Sequence, residues 1–259
     1  MHLGHQQLFL RQNKDGAIVV IQTDYENLSP NRFRSRYTKF PIIYYPLKNI
    51  KHLSGKEFID LLTQEFPNLE KIIVGFDFHF GYKASYGIDD LKKMFQGEVV
   101  IVDEYKIDNI AVHSRVIREY LRSSKIEEAN RLLGYNYTIE GEIIQGQGLG
   151  KKQFVPTINL NIKLFLIPQE GIYITQTKLN NKLYNSVTFI GHRVTTDGKF
   201  AVETHLLNQD IILKDEKNIQ ITFFHKIRDN KKFDIYEDLK DQILDDISKA
   251  KQYFKDTNG

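Results

Sequence analysis

Four groups of residues in this 259-residue chain have types and spacings suited to chemistry. The first is "MHLGH", where His2 and His5 stand three positions apart, so that one turn of helix presents both rings on one face. The start of a helix attracts phosphate, because its unpaired N–H groups and dipole point at the ligand. Two donors of this kind suit nucleotidyl transfer, in which attack at an α-phosphate builds extra equatorial charge that oriented N–H groups stabilise. Gly4 between them lets a base or phosphate come close to the backbone. A purely structural histidine pair has the same spacing. The second group is Asp77 in "VGFDFHFG", a carboxylate at the end of an apolar run. The third is Ser114 and Arg118 in "HSRVIR", a hydroxyl and a guanidinium at i, i+4 that can grip phosphate, or else a helix cap and a solvated arginine.

The fourth group lies in "GQGLGKKQFVPTINLNI" (146–162) and "FAVETHLL". Gly146, Gly148 and Gly150 form a run whose backbone can wrap phosphates, although no G-K-[ST] follows and the segment is not a P-loop. Thr157 and Asn159 are two residues apart on an expected strand, so both face one side. A hydroxyl and an amide oxygen beside a phosphate loop suit Mg²⁺, and a glycine-rich β-turn followed by a plain strand has the same pattern. Glu203 stands in the middle of an otherwise apolar strand. It is either a base that deprotonates an alcohol attacking a γ-phosphate or a solvent-facing member of an alternating strand.

Two kinds of element are needed to position these groups. "AIVVIQ" (17–22), "FPIIYY" (40–45), "EKIIVGF" (70–76) and "GEVVIVD" (97–103) read as buried strands, with the amphipathic helix "LSGKEFIDLLTQEF" starting at an N-cap on Ser54. Such alternation predicts a parallel sheet covered by helices, with ligands at the C-terminal strand ends. "HSRVIREYLRSSKIEEANRLLG" gives two helical stretches, the second stopping at Gly134. Beyond Gly134 the pattern changes to short strands separated by Gly, Asn and Asp, with "LNNKLY" a hairpin turn, and predicts a compact antiparallel β-barrel. A closing helix carries Leu239, Ile243, Ile247, Ala250 and Phe254 as a stripe that packs on that barrel. The expected division is an α/β domain over 1–134 and a β-barrel domain over 135–259.

Composition narrows the function classes. Apolar residues are 41% and charged ones 27%, which places the chain among folded globular proteins. A net charge of +3 suits small anionic ligands and lacks the clustered basic footprint of a nucleic-acid partner. Cysteine is absent, so disulfides and thiolate metal sites are excluded. No apolar run has the length of a membrane span and the first residues do not form an export signal. The expectation is a cytoplasmic monomer or weak homo-oligomer with no nucleic-acid or membrane partner.

Taken in order, these segments resemble the bifunctional bacterial riboflavin kinase/FAD synthetase family over nearly the whole chain. "MHLGH" is similar to the tail of that family's G-x-F-D-G-V-H-x-G-H, "GFDFHFG" to its G-x-[DN]-F-x-F-G, and "HSRVIR" to its S-S-[ST]-x-I-R. "GEIIQGQGLGKKQFVPTINL" resembles its G-x-V-V-x-G-x-G-x-G-R-x-L-G-F-P-T-A-N-L, and "GIYI", "VETHLL", "KKFD" and "LKDQILDD" follow in register. The resemblance implies a Rossmann-like nucleotidyltransferase domain followed by a kinase barrel, with ATP, riboflavin and FMN as substrates and Mg²⁺ as cofactor. It makes Glu203 the kinase base and gives Thr157 and Asn159 the metal and phosphate. His2 and His5 become the adenylyl-transfer pair, Ser114 and Arg118 the triphosphate grip, and Asp77 and Phe80 the flavin side.

The chain also departs from that pattern. His113 and Arg115 replace small hydroxyl residues, "QFVPT" lacks a Leu-Gly, and Phe189 and Val194 stand where the family has Asn and Pro. Met1 occupies the position of the valine before the first histidine, and a valine codon GUG also serves bacteria as a start. From this the expectation is that the true start lies upstream and the first strand is missing. The chain as written would then phosphorylate well, adenylylate poorly, and leave its first residues hanging free.

Overall fold

The computed structural model describes residues 1–23, 27–145, 155–195, 197–207 and 216–257. They divide into two compact units, Met1–His113 and Ser114–Gly259.

In the first unit, α1 (Leu3–Phe9) leads to β1 (Ile18–Gln22), β2 (Ile42–Pro46), α2 (Leu47–Ile50) and α3 (Gly55–Glu65). Then come β3 (Lys71–Gly75), α4 (Ile88–Met94), β4 (Glu98–Val102) and the short pair β5 (Lys106–Ile107) and β6 (Ile110–Ala111). Helix α3 starts where the sequence predicts. The Ser54 hydroxyl accepts from the Glu57 amide at 3.3 Å, and the Glu57 carboxylate accepts from the Ser54 amide at 2.7 Å, a complete capping box. Its Phe58, Ile59 and Leu62 face a core shared with Val74, Phe80 and Leu91. The four expected strands all form and all pair in parallel. They do so as two separate pairs, β1 with β2 and β3 with β4, rather than as one sheet.

In the second unit, α5 (Ser114–Arg122) and α6 (Ile126–Leu133) precede the strands, and α6 ends on Gly134 in the left-handed region at φ 80°. Both helices belong to this unit by contact: the Asn130 amide donates to the Phe223 carbonyl at 3.0 Å, and the Gln169 amide to the Leu121 carbonyl at 3.0 Å. Strands β7 (Thr138–Ile144), β8 (Ile158–Ile162), β9 (Gly171–Leu179), β10 (Lys182–His192), β11 (Phe200–Leu206) and β12 (Asn218–Arg228) close a barrel in the order β10-β11-β8-β7-β12-β9. Strands β9 and β10 meet through Asn180 and Asn181, at φ 49° and 59°. This two-residue turn matches the twist of the flanking strands.

Alternation along the strands gives the barrel two different surfaces. On one, Thr175, Thr177, Ser186, Thr188 and Thr204 are fully buried and hydrogen-bonded to one another. On the other, Ile172, Ile174 and Val187 pack against Ile247, Ala250 and Phe254 of α7 (Tyr236–Thr257). The predicted stripe is therefore the face that docks. A buried ion pair fixes it: Arg228 reaches Asp246 through Nε at 3.0 and 3.1 Å and Nη2 at 2.7 Å, with Asp246 only 2% exposed.

Candidate active sites

A cavity of about 210 Å³ opens on the α7 side of the barrel. Glu203, Thr157 and Asn159 all line it. Asn159 and Glu203 are register partners across β8 and β11, and Phe189 is the partner of Glu203 on the opposite neighbour, β10. The three residues thus form a row across three strands, facing the same space. One Glu203 oxygen accepts from the Thr157 hydroxyl at 3.3 Å, and the other from Arg193 Nη1 at 3.1 Å. Glu203 therefore faces the cavity, and its reading as a solvent-facing strand residue falls. His205, two residues on, also lines the cavity. Its Nδ1–H donates to the Pro156 carbonyl at 2.9 Å, and burial lowers its proton affinity. Apolar walls come from Ile172, Val187 and Phe189 on the barrel and from Leu239, Ile243 and Ile247 on α7. The cavity combines apolar walls with the Thr157 and Asn159 side chains and two carboxylates, of which Asp246 is paired with Arg228 and Glu203 with Arg193. Such a cavity accepts an aromatic ring system and delivers a hydroxyl to a base. Gly146, Gly148 and Gly150 lie outside the described residues.

In the first unit, His2 is the N-cap of α1 and His5 lies one turn on. The His2 Nδ1 accepts from the His5 amide at 3.3 Å, so the proton of His2 sits on Nε2. The rings are 3.8 Å apart. Gly4 is required by packing: a side chain there would meet the Val112 carbonyl at 2.9 Å and the His2 ring at 3.1 Å. The His5 proton affinity is lowered to about 3, first by burial and then by the positive charges of the Met1 amino group, Arg34 and His113. His5 Nδ1 and Arg34 Nη1 are buried and find no hydrogen-bond partner among the described residues. The expected frayed start is not what forms: Met1 and His2 are buried, and the Met1 amino group donates to the Ser29 hydroxyl at 3.1 Å. Burying Met1 removes its apolar side chain from water, which opposes fraying.

Asp77 sits exposed in the turn after β3, where its carbonyl meets the His79 ring at 2.8 Å. Phe80 is 3% exposed and packs against Phe58, Phe78 and Tyr86, rooting that turn in the core. Ser114 opens α5 and Arg118 lies one turn further, half-buried, its charge disfavoured by burial and by Arg122. Both belong to the second compact unit, while His2, His5, Asp77 and Phe80 belong to the first. Residue reading missed Arg193, His205 and Arg34. For Arg193 the available signal was its place just after the strand that pairs with the Glu203 strand.

The arrangement in the second unit is that of a small-molecule phosphotransferase barrel. A riboflavin kinase family model matches residues 133–254, and an FAD synthetase model matches residues 42–116. A bifunctional riboflavin kinase/FMN adenylyltransferase from Buchnera aphidicola is 30% identical over 98% of this chain and 90% of its own length. A protein of the same description from Listeria monocytogenes is 30% identical over 98% of this chain and 89% of its own. This chain belongs to the bifunctional riboflavin kinase/FMN adenylyltransferase family. It is also similar to a solved structure from Streptococcus pneumoniae described as a macrolide-efflux protein, at a TM-score of 0.82 and 25% identity, covering 96% of this chain and 90% of that one. Among the described residues, no helix is long and apolar enough to cross a membrane.

Proposed function

We propose that the chain makes flavin cofactors in two steps, phosphorylating riboflavin to FMN in the barrel and adenylylating FMN to FAD through the first unit. The observation that carries the first step is the convergence of Glu203, Thr157 and Asn159 on one apolar-walled cavity. The isoalloxazine ring occupies the slot under α7, and the ribityl chain runs toward Glu203. Its terminal hydroxyl attacks the γ-phosphorus of ATP, the new O–P bond forms, the bond to ADP breaks, and Glu203 takes the hydroxyl proton. The Thr157 hydroxyl and the Asn159 amide oxygen are hard oxygen donors beside a carboxylate, a set that fits Mg²⁺. When bound, that ion supplies charge neutralisation for the phosphates. The low dielectric of the walls strengthens every charge interaction at that end.

In the second step an FMN phosphate oxygen attacks the α-phosphorus of a second ATP and releases pyrophosphate. His2, Gly4 and His5 are assigned to the reacting phosphate, Ser114 and Arg118 to the triphosphate, and Asp77, with Phe80 behind it, to the flavin side. Gly146, Gly148 and Gly150 are assigned to the kinase nucleotide, and the functional boundary to residue 134. The protein acts in the cytoplasm on small molecules, as a monomer or weak homo-oligomer. A chain that makes FMN alone is the second reading, and one observation favours it: the strands of the first unit form two separate pairs rather than one sheet. Incubation with riboflavin, ATP and Mg²⁺, followed by separation of the flavins, decides. FAD supports both steps, FMN without FAD supports the second reading, and unchanged riboflavin defeats both.

A further inference from the structure

We propose that Arg193, locked by Asp197, is a positioning residue that aims the Glu203 carboxylate at the reacting hydroxyl. The proposal rests on the kinase reading of the barrel cavity.

A carboxylate on a strand face is free to turn about its own side-chain torsions, and a base that turns away from its hydroxyl loses effective concentration. Glu203 is held at both oxygens, Oε2 by the Thr157 hydroxyl and Oε1 by Arg193 Nη1. A guanidinium on a flexible stem fixes nothing unless it is itself fixed. Here it is: Nε meets Asp197 Oδ1 at 3.0 Å and Nη2 meets Asp197 Oδ2 at 2.8 Å, a two-pronged pair that sets the guanidinium plane. Asp197 is anchored in turn by the Lys199 amide at 3.1 Å. The loop carrying all of this closes on itself, with the Arg193 amide donating to the Lys199 carbonyl at 3.0 Å and the Gly198 amide to the Arg193 carbonyl at 3.1 Å. Gly198 supplies the left-handed φ of 70° that this closure needs.

Burial makes the chain of contacts more than a surface ion pair. The side chains of Arg193, Asp197 and Glu203 are 19%, 22% and 19% exposed. The fork with Asp197 and the single bond to Glu203 engage Nε, Nη1 and Nη2. That pattern suits a strut between two carboxylates better than a hand for phosphate. Lysine cannot replace it, because a point charge cannot hold two carboxylates in one plane.

The test is steady-state phosphorylation of riboflavin by the full chain, with rates normalised to riboflavin-binding sites titrated by flavin fluorescence, so that misfolded protein does not count. Arg193→Met should lower kcat roughly 10²-fold, the scale of a small misplacement of a reacting group, and leave both KM values within about threefold. Arg193→Lys should recover little of that loss. Asp197→Asn, which touches neither Glu203 nor the cavity, should lower kcat several-fold and add nothing on top of Arg193→Met. An unchanged kcat overturns the proposal. So does a raised KM for ATP at constant kcat, which would make Arg193 a nucleotide-binding residue, and so do fully additive effects of the two substitutions. Glu203→Gln separates the layers. If it keeps near-normal rate, the kinase reading of the cavity fails. If it loses the rate while Arg193→Met does not, only the positioning role fails.

Discussion

In the barrel cavity the carboxylate proposed as the kinase base is held at both oxygens, while at the start of the first unit the imidazole proposed for adenylyl transfer has a buried ring nitrogen with no partner among the described residues. The two regions also differ in their scaffolds. The barrel is a closed ring of six strands, and every strand is fixed by two neighbours. In the first unit each of the four parallel strands is fixed by one. Closure holds the registers that set Asn159, Glu203 and Phe189 in one row. A pair of strands holds only its own register, so geometry at its ends depends on the turns. The polar groups of the barrel cavity thus hold one another, whereas His5 Nδ1 and Arg34 Nη1 of the first unit find no hydrogen-bond partner among the described residues.

The comparison breaks first at Glu203. Glu203→Gln keeps the shape but cannot accept a proton, and FMN formation should fall by roughly 10²–10⁴-fold, with riboflavin still bound. Measurement of phosphorylation alongside flavin fluorescence checks this, and a near-normal rate would remove Glu203 from the chemistry. Next is Asp246→Ala. It leaves Arg228 buried without its carboxylate, which costs about 3–5 kcal/mol and should appear as a large drop in the unfolding midpoint of the barrel unit. Thr157→Ala should raise the Mg²⁺ concentration for half-maximal phosphorylation roughly tenfold, the loss of one good ligand interaction of about 1.4 kcal/mol. An unchanged Mg²⁺ titration would detach Thr157 from the metal.

The last prediction concerns the first unit alone. The His5 proton affinity falls from 6.5 to about 3 on folding, chiefly through burial. Below pH 6.5 the unfolded chain therefore binds a proton that the folded one does not. The His5 contribution to stability is full above pH 6.5 and is lost as pH falls toward 3, on top of the similar contribution of the buried Met1 amino group, lowered from 8.0 to about 5. Thermal unfolding of the first unit between pH 7 and 4 should show this decline, and His5→Gln should flatten it. An identical pH profile in the variant would mean that His5 is not the group responsible.

Much of the scaffold was legible because single residues dictate it. Ser54 marked the start of a helix, Gly134 the end of one, and the LNNKLY segment a hairpin turn, whose two left-handed residues are Asn180 and Asn181. The face of Glu203 was illegible for a specific reason. Its strand alternates an acid toward the cavity with Thr204 toward the buried hydroxyls, so hydropathy shows no contrast between the two sides. Asp245 and Asp246 were equally indistinguishable until Arg228 arrived from β12: one pairs with Lys249 on the helix surface, and the other is sealed beneath it. Separation of the parallel strands into two pairs left no mark on the strands themselves, because a strand with one neighbour and a strand with two have the same apolar run. The role of Arg193 depends on a partner ten residues away and on a loop that folds back on itself, neither of which is a pattern of residue types.

The five buried hydroxyls of the barrel have a consequence of their own. Traced from atom to atom they run Thr177, Ser186, Thr175, Thr188, Thr204 and back to Thr177, at 2.9, 2.8, 2.8, 3.0 and 3.1 Å. The two links whose direction is fixed, Thr177 to Ser186 and Thr188 to Thr204, point the same way round. The chain of donors has no first or last member, so each oxygen gives one proton and takes one, and the loop needs neither water nor charge to be complete. The two fixed links therefore set one sense of circulation for all five protons. Removing any single hydroxyl opens the circle and leaves a donor and an acceptor facing each other across the gap. The barrel interior is in this respect a lock with one combination, set by three adjacent strands, and it lies one residue behind the carboxylate at Glu203.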